Sequence, residues 1–288
     1  MSLFESNSSP PRNSFGYRDD PHFADQASAG KLAAAGRWTI ASVQEFVRFN
    51  SIAVAVLRQS CRPLTWRRTV RAEFLHQCHQ VGTRALPFIM LTGILFGLAI
   101  VFETLYWLKV FGQTESAGSL LVLVLVREIA PLVVAAIVIG RSISVFLLEL
   151  ANMQADGQVR MLDAQGIDPF IYLIVPRVMA VSICMFCLTI LFTVVTLGAG
   201  FIASNALNAT HLTVDNFIIE ILAAMGPSDF AIIPLTTLST GFVTAMIGCT
   251  AGLSFTGSTT DVPGLLATGI MKSVLTTLLI SGVLSLLI

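Results

Sequence analysis

The sequence has little charge, and neither sign is in excess. Charged residues make up 12% of its 288 residues, and 17 basic residues balance 17 acidic ones. Soluble domains carry about 25% charged residues. A neutral chain has no general attraction to nucleic acid, so we expect no nucleic-acid partner. Hydrophobic residues instead make up 55%, and the mean hydropathy of +0.80 indicates an integral membrane protein.

Motifs for common hydrolytic reactions are missing as well. No G-x-x-x-x-G-K-[ST] phosphate loop is present, so the chain does not hydrolyse ATP by that mechanism. No G-x-S-x-G is present, and the only histidine after the first apolar run is His211. We expect a protein that is not an enzyme and that holds no cofactor of its own.

The five cysteines are an odd set and do not indicate a disulfide framework. Cys184 and Cys187 imitate a redox C-x-x-C motif, but they lie in an apolar run where small cysteine side chains serve as packing residues. His76, Cys78 and His79 are close in sequence, yet residues 76 and 79 fall one helical turn apart with no fourth ligand nearby. We expect no metal site.

The first 84 residues divide into a polar tail and a helical segment. Residues 1–30 are rich in Ser, Pro, Asn, Asp and Gly, and we expect them to be disordered. In 31–84 apolar residues recur at helical spacing, which predicts an amphipathic helix in the inner membrane interface. A surface helix packed on protein has the same pattern. Arginines cluster between Arg58 and Arg71, which places this segment on the cytoplasmic side.

Five apolar runs are long enough to cross a membrane as helices, which takes about 20 residues each. They are residues 85–108, 118–141, 170–203, 229–250 and 264–288. The sequence therefore predicts an all-α integral membrane protein whose residues 85–288 form the transmembrane domain. The connection 204–228 contains no Lys or Arg, so it belongs outside, opposite the arginine-rich N-terminal region. The N-terminus is then cytoplasmic, and the C-terminus lies on the outer side.

Glycines recur in these apolar runs. Gly93 and Gly97 form a G-x-x-x-G spacing in the first run, and Gly200, Gly241 and Gly248 lie in later ones. Small residues allow close contact between membrane helices, so we expect spans that pack against one another.

The second run carries charges within the membrane. Arg127 and Glu128 each cost about 2.5 to 3.5 kcal/mol if they face lipid, so they need partners or water. Adjacent helical residues point about 100° apart, so the partners must come from another helix, another subunit or a cavity. Two interpretations are open: a polar pocket, or a buried structural ion pair. Pro131 can kink the span beside these charges, and Arg141 follows at the expected inner boundary.

The segment 142–165 is amphipathic and links the second and third runs. Gly166 ends it, and Pro169 opens the next run. The pattern predicts a short cytoplasmic helix held between two spans, which a cytosolic partner can push. A plain connecting loop is the alternative, although about 25 residues is long for one.

Several spaced motifs in this region resemble the MlaE (YrbE) permease family, whose members are membrane subunits of ABC transporters that work with MCE lipid-binding proteins. Sequences of that family read like R-E-x-x-P, A-G-R, A-E-L-x-x-M, M-G-x-D-P and V-P-R. The matching residues here are Arg127, Glu128, Pro131, Gly140, Arg141, Glu149, Leu150, Met153, Gly166, Asp168, Pro169, Pro176 and Arg177. The resemblance covers roughly residues 37–288.

The resemblance implies a permease subunit that moves lipids, most simply phospholipids, between the bacterial inner membrane and a periplasmic MCE protein. It implies a second permease copy in a homodimer, a cytosolic ABC ATPase that holds the ATP and Mg, and a STAS-type accessory subunit. Together with the charge argument, it assigns the lipid pocket to Arg127, Glu128, Pro131 and Arg141. It assigns the ATPase-coupling helix at 142–165 to Glu149, Met153, Gln158, Arg160, Leu162, Gly166 and Asp168.

Two acidic positions of the family pattern are not acidic in this chain. Family sequences read E-Q-I-D-A-L where this chain has G-Q-V-R-M-L. Gly157 therefore replaces a glutamate, and Arg160 replaces an aspartate. Both changes fall on the expected ATPase contact, which indicates a divergent ATPase partner.

Two other functions are compatible with a charged second span. A secondary transporter would use Glu128 as a proton site and would need no ATPase. A membrane scaffold for an outer complex would transport nothing, and it would tolerate substitution of Glu128.

Overall fold

The structure is a computed structural model. It describes residues 44, 47, 49–60, 62, 68–111, 122–166, 168–206, 214–226, 229–255 and 262–286. The chain divides into two compact units, Met1–Ile52 and Ala53–Ile288. The first unit is helical at its described residues, which all lie between 44 and 52. The predicted disordered tail at 1–30 lies outside the described residues, as does His211.

The second unit is built from helices, and its described residues contain no β-strand. We number its main helices in chain order. α1 runs from Arg68 to Phe111, α2 from Val122 to Ala155, α3 is Gln158–Ala164, α4 runs from Phe170 to Ala206, α5 is Val214–Ala224, α6 is Asp229–Leu253 and α7 is Val262–Leu286. Wider π-helical turns lie within α1 at His79–Thr83 and Gly97–Val101, within α2 at Val122–Ile129 and Ile139–Ile143, and at the start of α4 at Phe170–Ile174.

Within the part of the chain that the structure describes, five helical stretches are long and apolar enough to cross a membrane, which agrees with the predicted five spans and the all-α class. They are Arg68–Val101, Val124–Ala155, Phe170–Ala206, Asp229–Leu253 and Pro263–Leu284. The first stretch begins well before residue 85, because the amphipathic segment Arg68–Cys78 continues into the apolar run without a break. The predicted boundary at 84 therefore falls inside a helix.

The segment 142–165 is not the single short helix that the sequence predicted. Its first part, Ser144–Ala155, continues α2, and its second part is the separate helix α3. Asp156 and Gly157 form the turn between the two parts. Gly157 has a φ of 74°, in the left-handed region that glycine adopts without steric strain. A glycine at this position therefore divides an otherwise continuous amphipathic pattern.

α4 lies against α1, α2 and α6, and α6 also lies against α2 and α7. α1 and α4 approach closely at glycines. A Cβ on Gly200 would lie 2.5 Å from Cγ1 of Val101 and 2.7 Å from the carbonyl oxygen of Gly97, which leaves no room for it. Gly93 faces Val195 along the same contact. The predicted close packing through Gly93 and Gly97 is confirmed, and the partner helix is α4.

Candidate functional site

The site around Glu128 is built on a widened helical turn. α2 begins with the π-helical stretch Val122–Ile129, and a regular α-helix starts at Ala130. Pro131 is buried and lacks a backbone N–H, so the carbonyl of Arg127 has no donor at the usual position four residues on. A π-helical turn shifts the hydrogen bonds by one residue and accommodates this loss. The charged pair therefore lies where the backbone of α2 is locally distorted.

Arg127 forms an ion pair with a residue of another helix. Its Nη2 atom lies 2.5 Å from Oδ1 of Asp229 in the first turn of α6. Asp229 is fully buried, whereas the Arg127 side chain is 23% exposed. The second carboxylate oxygen of Asp229 accepts the backbone N–H of Gly226 at 2.9 Å. Arg127 was predicted to need a partner from another helix, another subunit or a cavity, and Asp229 of α6 is that partner.

Glu128 points to a different helix and has a weaker partner. The hydroxyl of Ser281 on α7 donates to Oε2 of Glu128 at 3.4 Å, and Ser281 itself is buried. Glu128 is half-buried, and within the described part of the chain no basic side chain forms an ion pair with it. We call Arg127, Glu128, Asp229 and Ser281 the Glu128 site. It contains a structural ion pair and, beside it, a carboxylate that is open to a further partner.

A second ion pair lies far from the first along α2. Nη2 of Arg177 on α4 donates to Oε2 of Glu149 on α2 at 2.9 Å. Residues 128 and 149 are about 30 Å apart along the helix axis. Arg177 is 3% exposed, and its guanidinium carbon lies 5.6 Å from the centre of the Phe146 ring. This contact fixes the end of α2 to the start of α4, and Arg177 was known from the sequence only as part of the V-P-R motif.

The residues assigned to the coupling segment lie around and after this ion pair. Gln158 and Arg160 of α3 are exposed, and Met153 and Leu162 are half-buried. Oδ1 of Asp168 accepts the backbone N–H of Phe170 at 2.9 Å and so stabilises the beginning of α4. Gly166 ends α3 with a φ of 75°. This places an exposed, polar α3 between the ends of α2 and α4.

Arg141 belongs to neither group. It is exposed and lies in the π-helical turn Ile139–Ile143, between the Glu128 site and the Glu149–Arg177 pair. Arg127, Glu128 and Pro131 thus lie together near the beginning of α2, and the coupling residues lie around its end and on α3. Arg141 is not a neighbour of Glu128 along the helix, since 13 residues separate them by about 20 Å.

Most of this chain matches a known protein family. A profile of the family described as Permease MlaE matches residues 74–287. The chain belongs to the MlaE permease family. The match begins within the first apolar helix, at residue 74, and it includes the other four apolar helices and every residue of the Glu128 site. This MlaE permease is thus a transporter subunit that is not itself an enzyme.

Individual relatives agree with this assignment. A Synechocystis sp. protein named "Probable ABC transporter permease protein slr1045" is 30% identical over 212 residues, which cover 72% of this chain and 78% of that protein. The Arabidopsis thaliana chloroplast protein TRIGALACTOSYLDIACYLGLYCEROL 1 is 29% identical over 208 residues, or 72% of this chain and 57% of that protein. The Haemophilus influenzae permease protein MlaE of an intermembrane phospholipid transport system is 33% identical over 124 residues, or 43% of this chain and 48% of that protein. With its five apolar helices, this MlaE permease is a multi-pass membrane protein of the ABC transporter type.

Proposed function

We propose that this MlaE permease is the membrane subunit of an ABC transporter that moves phospholipid between the bacterial inner membrane and a periplasmic MCE-domain protein. The observation that carries the proposal is the match to the MlaE profile across all five spans. The name of the Haemophilus influenzae relative supports phospholipid as the cargo. Family membership also favours this function over a proton-coupled secondary transporter and over a scaffold that transports nothing.

A separate cytosolic ATPase supplies the energy in this proposal, and it holds the ATP and Mg. We place its contact on α3 and the turn at Gly157, because Gln158 and Arg160 are exposed there. The Glu149–Arg177 ion pair then joins the contact to α4, the helix that packs on α1, α2 and α6. Movement of α3 would therefore be transmitted through α4 to α1, α2 and α6.

The remaining partners follow from the same proposal. A second copy of the permease forms a homodimer, and a STAS-type protein serves as an accessory subunit. The arginine-rich segment between Arg58 and Arg71 faces the cytoplasm, as α3 does, and the connection that contains α5 faces the periplasm. The C-terminal end of α7 then lies on the periplasmic side.

Purification of the tagged permease from its native membrane in mild detergent tests this function. Mass spectrometry of the co-purified proteins and lipids should identify an ABC ATPase, an MCE-domain protein and enriched phospholipid. Recovery of the permease without an ATPase would contradict the proposal and would favour the proton-coupled or scaffold functions.

A further inference from the structure

Of the two acidic side chains at the Glu128 site, only Asp229 has a positively charged partner among the described residues. Arg127 contacts the buried Asp229 at 2.5 Å, so these two residues are neutral as a pair. Glu128 has only the Ser281 hydroxyl, at 3.4 Å, and no cationic side chain among the described residues pairs with it. One carboxylate is therefore left without a counter-charge inside a membrane-spanning helix, where an isolated charge is costly.

The two acidic side chains of the site, Asp229 and Glu128, contact different groups. Arg127 and Glu128 are adjacent on α2, so their side chains diverge, Arg127 toward α6 and Glu128 toward α7. Asp229 is held in place by its bond to the Gly226 N–H at 2.9 Å, and it is fully buried beside Arg127. Arg127 is thus engaged by Asp229, while the half-buried Glu128 can still accept hydrogen bonds from a ligand.

Building on the proposed function, we propose that Glu128 binds the primary ammonium group of an aminophospholipid headgroup, and that Asp229 sets this preference by neutralising Arg127. A primary ammonium carries a full positive charge and three N–H donors, which suit a carboxylate with free acceptor positions. An Arg127 released from Asp229 would instead bind the lipid phosphate or Glu128 itself. Asp229 is therefore a positioning residue that determines headgroup specificity without touching the lipid.

The test uses the complete transporter in membranes that contain phosphatidylethanolamine and phosphatidylglycerol in equal amounts and with identical acyl chains. After purification in nanodiscs, the ratio of the two lipids retained by the protein is measured by mass spectrometry. We expect the wild type to enrich phosphatidylethanolamine by about tenfold, because a tenfold preference corresponds to the free energy of one hydrogen bond to a charged group. Glu128→Gln keeps the shape of the side chain but loses its charge, so the retained ratio should fall to that of the membrane.

Variants of the ion pair test the role of Asp229. Asp229→Asn should also lose the enrichment, because it frees Arg127. The double variant Arg127→Gln/Asp229→Asn removes both charges of the pair, so it should regain the preference for phosphatidylethanolamine. Asp215→Asn, which removes an exposed acid on α5, is the matched control and should behave like the wild type.

The outcomes separate this inference from the proposed function. The headgroup preference would be overturned if the wild type retained the two lipids in the same ratio as the membrane. It would also be overturned if Glu128→Gln still enriched phosphatidylethanolamine. Neither result would contradict lipid transport. Loss of enrichment in the double variant would overturn the role of Asp229, even if Asp229→Asn alone does not fold. A wild-type complex that neither retains nor transfers phospholipid would contradict the proposed function itself.

Discussion

Arg177 shows how a single residue can join two helices in this protein. Its side chain is almost fully buried, and one of its nitrogens contacts Glu149, whose side chain is 45% exposed. Nε and Nη1 of Arg177 have no hydrogen-bond partner among the described residues. The guanidinium therefore depends on Glu149 and on the face of Phe146 to offset its desolvation.

Loss of the Glu149 carboxylate should destabilise the protein. Glu149→Gln leaves the Arg177 charge buried without its counter-charge, which we expect to cost about 1 kcal/mol, because solvent screens the exposed half of the pair. The thermal unfolding midpoint in detergent would fall accordingly. Asp163→Asn removes the same charge from the exposed surface of α3 and is the control. Equal midpoints for the two variants would show that the ion pair contributes nothing.

The sequence predicted which side chains of the second span carry charge but not how they pair. Arg127 and Glu128 were recognised because charge is rare in an apolar run. Asp229 and Ser281 were not recognised as their partners, since residues about 100 and 150 positions further along are brought close only by the packing of α6 and α7. Serine and aspartate near the ends of spans carry no distinguishing signal in one sequence.

The close contact between α1 and α4 depends on glycine. Gly200→Ala would place a methyl group 2.5 Å from Cγ1 of Val101 and 2.7 Å from a backbone oxygen, so the helices must separate. We expect a loss of about 1 to 3 kcal/mol in stability, measured by thermal unfolding in detergent. Gly198→Ala, two residues earlier on α4, meets nothing within 4 Å and should be neutral or slightly stabilising. A Gly200→Ala protein as stable as Gly198→Ala would contradict this packing.

The turn between α2 and α3 depends on glycine for a different reason. No atom lies within 4 Å of a Cβ built on Gly157, so the only obstacle to a side chain is its positive φ. Gly157→Ala should cost about 1 to 2 kcal/mol at this turn and change the direction of α3, which would lower the amount of ATPase that co-purifies. Gly157→Asn tolerates the left-handed conformation better and should retain more ATPase. Equal recovery with the two variants would argue against a role for this turn.

Hydropathy alone predicted the five spans, because a helix in lipid needs a long apolar run. The helices that contain the first and second apolar runs extend beyond those runs, back to Arg68 and on to Ala155. In both places a polar or amphipathic helix continues an apolar one, and hydropathy falls although the backbone hydrogen bonds continue. The sequence pattern did not predict the break at Gly157, because the amphipathic pattern continues across that turn although the helix does not.

The whole molecule is proposed to work through an ATPase bound at α3, and a charge reversal tests where it binds. Arg160 is exposed, so Arg160→Glu should leave the fold intact and weaken ATPase binding by at least about fivefold, which corresponds to about 1 kcal/mol. The measurement is the amount of ATPase recovered with the tagged permease. Asp215→Lys reverses an exposed charge on α5, beyond the other end of α4, and should retain the ATPase. Undiminished recovery with Arg160→Glu would place the ATPase contact elsewhere.

Phospholipid transfer by the purified complex in proteoliposomes, measured with and without ATP, tests ATP-driven lipid transport most directly. Transfer should require ATP, and Glu128→Ala should abolish it while the ATPase still co-purifies. Transfer that proceeds without ATP and follows a pH gradient, or that is unchanged in Glu128→Ala, would contradict an ATP-driven lipid permease that uses Glu128.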